Sequence, residues 1–114
     1  MSVKHIGYED EFTDTIERSD KPYILVDFYA DWCGPCKRMA HVVDLLANKY
    51  PHMKYLKVNI EEIPSLAEDY EVSSIPLFLV FKAGDLDPID QVIGASQEKL
   101  TSVITKYANQ SGLM

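Results

Sequence analysis

The chain has two cysteines and no third. So few thiols exclude the multi-bridge frameworks that hold small secreted domains together. No apolar stretch reaches transmembrane length, so no membrane partner is expected. Cations are in deficit: 11 Lys and Arg stand against 18 Asp and Glu, for a net charge of −7. That sign argues against nucleic acid and against anionic membrane surfaces. The first residues, Met1-Ser2-Val3-Lys4-His5-Ile6, lack the apolar core of a secretory signal, so no signal peptide is expected. Repeats, low-complexity runs and linkers are absent from the sequence. These absences favour a reducing, cytoplasmic setting, where a close cysteine pair is catalytic or metal-binding rather than structural.

What is present fits one globular domain over residues 1–114. Hydrophobic residues make up 46% and charged residues 25% of the 114 positions. Val3 to Ile6 reads as a short strand. Tyr8, Phe12 and Ile16 recur at helical spacing, which predicts a helix from Tyr8 to Arg18. Pro22 opens an apolar strand ending near Ala30. A helix from about Cys33 to Tyr50 carries Met39, Val42, Val43, Leu46 and Tyr50 on one side and stops at Pro51. Met53 to Ile60 reads as a strand, and Pro64 suits the first turn of a short helix reaching Tyr70. Pro76 opens the strand Leu77-Phe78-Leu79-Val80-Phe81, Gly84 to Pro88 is loop, and Ile89 to Ile93 is a hairpin partner. Ser96 is a candidate N-cap for a last helix with Leu100, Val103, Ile104 and Tyr107, followed by a frayed tail, Asn109 to Met114.

Strands alternating with helices imply a parallel sheet covered on both faces. The last two strands, joined by a short loop, must be antiparallel. The expected fold class is α/β: a three-layer α/β/α sandwich with a five-stranded mixed sheet and four helices.

The cysteines are Cys33 and Cys36, in Trp32-Cys33-Gly34-Pro35-Cys36 at a strand-to-helix junction. This spacing can close a small disulfide ring. Cys33 comes first, where unpaired N–H groups and the helix dipole favour a thiolate, and Cys36 is expected one turn inside and less exposed. Gly34-Pro35 stiffens the turn between them. The competing reading is half of a zinc site. Zinc needs four ligands as a rule, and His5, His41 and His52 form no H-x-x-x-H pair, so no metal is expected. Asp27 is an acid inside an apolar strand, on the same side as Leu25 and Tyr29; it is either buried at a cost or a strand-end acid reaching solvent. Lys57 is the matching oddity in the third strand, with a snorkelling surface lysine as the alternative. His41 reads either as a solvated helix residue or as a pH-dependent charge near the helix that carries the pair.

The stretch Val26 to Lys37, with Lys57-Val58-Asn59-Ile60, Ile75-Pro76, Phe81-Lys82-Ala83-Gly84 and Gly94-Ala95, resembles the thioredoxin family in order and spacing from about Tyr8 to Tyr107. Departures are His41, where the family usually has a helix-kinking proline, Ser74 and Leu77 beside Ile75-Pro76, and a longer Asp85–Ile89 loop. The resemblance implies a protein disulfide reductase contributing to redox homeostasis and electron transport. Cys33 would attack and Cys36 resolve. Asp27 would lie beneath the cysteines and handle the Cys36 proton, with Lys57 nearby to stabilise it. Trp32, Gly34, Pro35, Ile75, Pro76 and Gly94 would contact substrate, with Pro76 cis against the disulfide and Ile75 pairing with an extended segment. The implied partners are disulfide-containing proteins and thioredoxin reductase. No cofactor would bind this chain; NADPH would act through the reductase. No second signal for dimerisation is present, so a monomer is expected. The alternative function is a thioredoxin-fold binding or chaperone subunit of a larger assembly.

Overall fold

The computed structural model describes residues 3–112. Met1, Ser2, Leu113 and Met114, which belong to the expectations for the leader and the tail, lie outside the described residues. The elements are β1 (Val3–His5), α1 (Glu9–Glu17), β2 (Tyr23–Tyr29), α2 (Gly34–Lys49), β3 (Lys54–Asn59), α3 (Pro64–Asp69), β4 (Leu77–Lys82), β5 (Asp90–Ile93) and α4 (Gln97–Gly112). This is the expected α/β sandwich, with five strands and four helices.

The sheet order is β1-β3-β2-β4-β5. β2 pairs with β3 in parallel, with Asp27 opposite Lys57 and Tyr29 opposite Asn59. β4 departs from the parallel set suggested by the alternation: it runs antiparallel to β2, with Leu77 opposite Phe28. The reason is length. α3 has six residues, about 9 Å of rise against about 20 Å for a strand of that count. It does not return the chain along the sheet, so β4 starts at the end where β3 stops. β5 then pairs antiparallel with β4, as expected of a hairpin.

Side-chain alternation in β2 divides the core. Leu25 packs with Met39, Val43, Leu100 and Ile104 on the α2/α4 face. Ile24, Val26 and Phe28 pack with Phe12, Ile16 and Leu66 on the α1/α3 face. Asp27 therefore points to the α2 side. Tyr8 does not join the apolar side of its helix; it is the N-cap of α1 and stays exposed. Ser96 does cap α4, its Oγ accepting the Lys99 N–H at 3.1 Å. The frayed tail expected from Asn109 is instead helical to Gly112. Tyr107, the last apolar position read from the sequence, is buried in the α2/α4 core, and Ala108 beside it is buried there too.

Candidate redox site

One end of the sheet collects the C-terminal ends of β2, β3 and β5 and the start of β4. The chain leaves β2 at Tyr29, and Cys33 becomes the N-cap of α2 with extended backbone (φ −90°, ψ 106°). The Cys33 Sγ accepts the Cys36 N–H at 3.2 Å. A sulfur therefore occupies the place where oxygen side chains usually cap, against otherwise unpaired donors. Pro35 falls in the first helical turn, where its missing N–H costs nothing. Cys33 and Cys36 are joined in a disulfide with Cα atoms 5.2 Å apart. In this oxidised form their exposures are 4% and 3%, so exposure does not separate an outer from an inner sulfur. Position in the helix does.

The two cysteines and Ala30 form a small buried cluster, with Tyr29, Ile60 and Ile75 packed against it. Trp32 lies outside that cluster and is 67% exposed. Gly34 and Pro35 are exposed beside it. The Ile75–Pro76 bond is cis. Pro76 is buried, and its carbonyl accepts the Gly94 N–H at 2.9 Å. Gly94 has φ of 93°, a conformation that a side chain would strain. The residues named from the sequence for the apolar rim thus come to one end of the sheet.

Against Cys36 lies a cavity of about 120 Å³ lined by Asp27, Tyr29, Ala30, Asp31, Cys36, Lys37, Ala40 and Lys57. Asp27 is buried, not a strand-end acid in solvent, and its Oδ1 has no hydrogen-bond partner. Burial pushes its pKa up to about 7; Lys57 opposes that shift and Asp44 adds to it. Lys57 is half-buried opposite Asp27 in the sheet register. It acts on Asp27 through the cavity, without an ion pair within 4 Å among the described residues. His41 is exposed on α2. Two larger, shallower grooves, of about 450 and 500 Å³, reach neither cysteine.

Tyr29, Ile60 and Asn59 also meet at this end of the sheet, Tyr29 and Ile60 on the cysteine cluster and Asn59 opposite Tyr29. Each reads as an ordinary strand-end residue, and only the β2–β3 register reveals their shared location. Burial raises the Tyr29 hydroxyl above its ordinary value, with Glu62, Asp31 and Asp27 adding and Asn59 opposing. Among the described residues, no group of three or more His, Cys, Asp and Glu is placed to hold a metal, and no helix is long and apolar enough to cross a membrane.

A family model described as Thioredoxin matches residues 3–106. The chain is 38% identical over 109 residues to a thioredoxin of Porphyra purpurea, covering 94% of this chain and 98% of that one. It is 37% identical over 105 residues to Thioredoxin-2 of Pyricularia oryzae, covering 92% of this chain but 59% of the relative's length. The solution structure of oxidised thioredoxin from Plasmodium falciparum superposes with a TM-score of 0.84 at 35% identity, covering 93% of this chain and 98% of that one.

Proposed function

The chain belongs to the thioredoxin family and is an oxidoreductase acting by dithiol–disulfide exchange through Cys33 and Cys36, and from that premise we propose that it works as a general reductase of protein disulfides. The observation that carries the direction of attack is the N-cap contact between the Cys33 sulfur and the Cys36 N–H. Donors aimed at Cys33 favour its thiolate over that of Cys36.

The reduced Cys33 thiolate attacks one sulfur of a partner's disulfide. A Cys33–partner bond forms and the partner's other sulfur leaves as a thiolate. Cys36 then attacks the Cys33 sulfur, closes the internal disulfide and releases the second partner thiol. Asp27 takes the Cys36 proton; a carboxyl with a pKa near 7 is matched to that task at neutral pH. Lys57 favours the charged form that accepts it. Trp32, Gly34, Pro35, Ile75, Pro76 and Gly94 form the docking rim around the sulfurs.

Thioredoxins carry no bound cofactor; the family acts on disulfide substrates and is reduced by thioredoxin reductase. For this chain, a thioredoxin reductase is the proposed electron source, with NADPH consumed on that enzyme, and the cytoplasm is the proposed compartment. Residues 1–114 act as a single, monomeric domain. A purely structural role in a larger assembly is not favoured, because it needs neither thiol.

Insulin reduction with thioredoxin reductase and NADPH tests the proposal. The wild-type chain is expected to precipitate insulin while NADPH is consumed, and Cys33→Ser is expected to do neither. Equal activity from both proteins would contradict it.

A further inference from the structure

Asp27 and Asn59 are the buried polar or charged residues among those described. Asp27 has a place in the exchange reaction, and Asn59 has none. Asn59 ends β3 at 5% exposure. Its Oδ1 accepts the Glu61 N–H at 2.9 Å, a side-chain turn of the kind asparagine forms. Its carbonyl accepts the N–H groups of Glu62 and Ile63, both at 3.1 Å. Three successive donors of the β3–α3 connection therefore end on one residue.

Ile60 is caught inside that arrangement. Its N–H donates to the Tyr29 carbonyl at 2.9 Å, and its side chain packs on the Ala30–Cys33–Cys36 cluster. Tyr29 packs on the same cluster and is the register partner of Asn59. The Asn59 side chain also interacts with the Tyr29 hydroxyl and lowers its pKa against the effect of burial.

We infer that Asn59 is a positioning residue for the redox pair: by fixing the turn that follows β3, it holds Ile60 and Tyr29 against the Cys33–Cys36 disulfide and restricts the approach of thiols to its sulfurs. Exchange requires an incoming thiolate to reach a sulfur, so its rate depends on access as well as on thiol chemistry. The two sulfurs are shielded, and the shield includes Ile60, whose neighbour Glu61 has its N–H tied down by the buried Asn59 amide. Loosening the tie opens the shield locally without touching either cysteine. The inference rests on the exchange chemistry proposed above for the same pair.

The test is the rate at which dithiothreitol reduces the oxidised protein under native conditions. The reagent closes to its own cyclic disulfide while the Cys33–Cys36 bond opens to two thiols. Asn59→Ala is expected to be reduced about five-fold faster than wild type, the factor that one lost hydrogen bond of ordinary strength gives to a local opening. Asn59→Ser keeps an oxygen that can accept the Glu61 N–H and is expected to restore most of the wild-type rate. A merely structural role would lower the denaturation midpoint of Asn59→Ala and leave its native-state reduction rate at the wild-type value, which would overturn the inference. Should Asn59→Ala fail to fold, hydrogen exchange of the wild-type protein still decides. The Glu61 amide is expected to be protected, and exchange at the rate of a free amide would overturn the inference. Wild-type failure in the insulin assay would sink the reductase function instead, and the dithiothreitol comparison would still be readable.

Discussion

Asp27 carries opposing demands. Its carboxyl is buried, has an unpaired oxygen and is held near neutrality of pKa by desolvation. The native state therefore keeps a proton that the unfolded chain releases near pH 4. The Asp27 contribution to stability therefore falls as pH rises from about 4 to about 7, where this group binds fewer protons in the unfolded chain than in the folded one, and then levels off. The pKa displacement corresponds to a cost on the order of 4 kcal/mol above neutrality. Asp27→Asn removes the ionisation. Urea denaturation of the oxidised proteins is expected to show the variant more stable by a few kcal/mol at pH 8, with the gain shrinking toward pH 4. A gain of the same size at every pH would show that Asp27 does not titrate in the folded protein. The same substitution is expected to slow insulin reduction at pH 7, because the proposed acceptor for the Cys36 proton is gone. Asp27 was legible in the sequence because an acid within Ile24-Leu25-Val26-Asp27-Phe28 breaks the local pattern. Asn59 was not, since a polar residue at a strand end breaks no pattern.

Among the elements, α2 joins stability to chemistry, because its N-cap is the proposed nucleophile. A serine at position 33 can accept the Cys36 N–H much as the sulfur does, and an alanine cannot. Neither variant forms the disulfide. Under reducing conditions Cys33→Ser is expected to be more stable than Cys33→Ala by about 1 kcal/mol. Equal denaturation midpoints would mean that the cap contact contributes nothing to α2. The helix itself could be read from apolar spacing and Pro51. The direction of β4 could not be read from its own residues, because Leu77-Phe78-Leu79-Val80-Phe81 is apolar on both faces and pairs equally well either way round. The shortness of α3 was the available signal. The extension of α4 to Gly112 escaped because Asn109-Gln110-Ser111-Gly112 looks like loop composition, while burial of Tyr107 and Ala108 anchors the turn before it.

At the scale of the whole molecule, function depends on bringing distant segments to one end of a sheet. Cys33 and Cys36 follow β2, Ile60 follows β3, Ile75 precedes β4, and Gly94 follows β5. The residue types at these positions were visible in the sequence. The contacts that link them, Ile60 and Ile75 on the cysteine cluster and Gly94 on Pro76, exist only after the sheet order and registers are set. The cavity shared by Asp27, Lys57 and Cys36 likewise arises because β2 and β3 are neighbours and α2 crosses the face they share. The central claim is that Cys33 opens a partner's disulfide and Cys36 resolves the product. Its most direct test is to mix reduced Cys36→Ser with a disulfide-bonded protein and follow the products by mass spectrometry without reductant. The expected result is a stable one-to-one adduct through Cys33, released by dithiothreitol, while Cys33→Ser forms little or none. Absence of the adduct, or equal adduct formation through Cys36 in Cys33→Ser, would contradict the assignment.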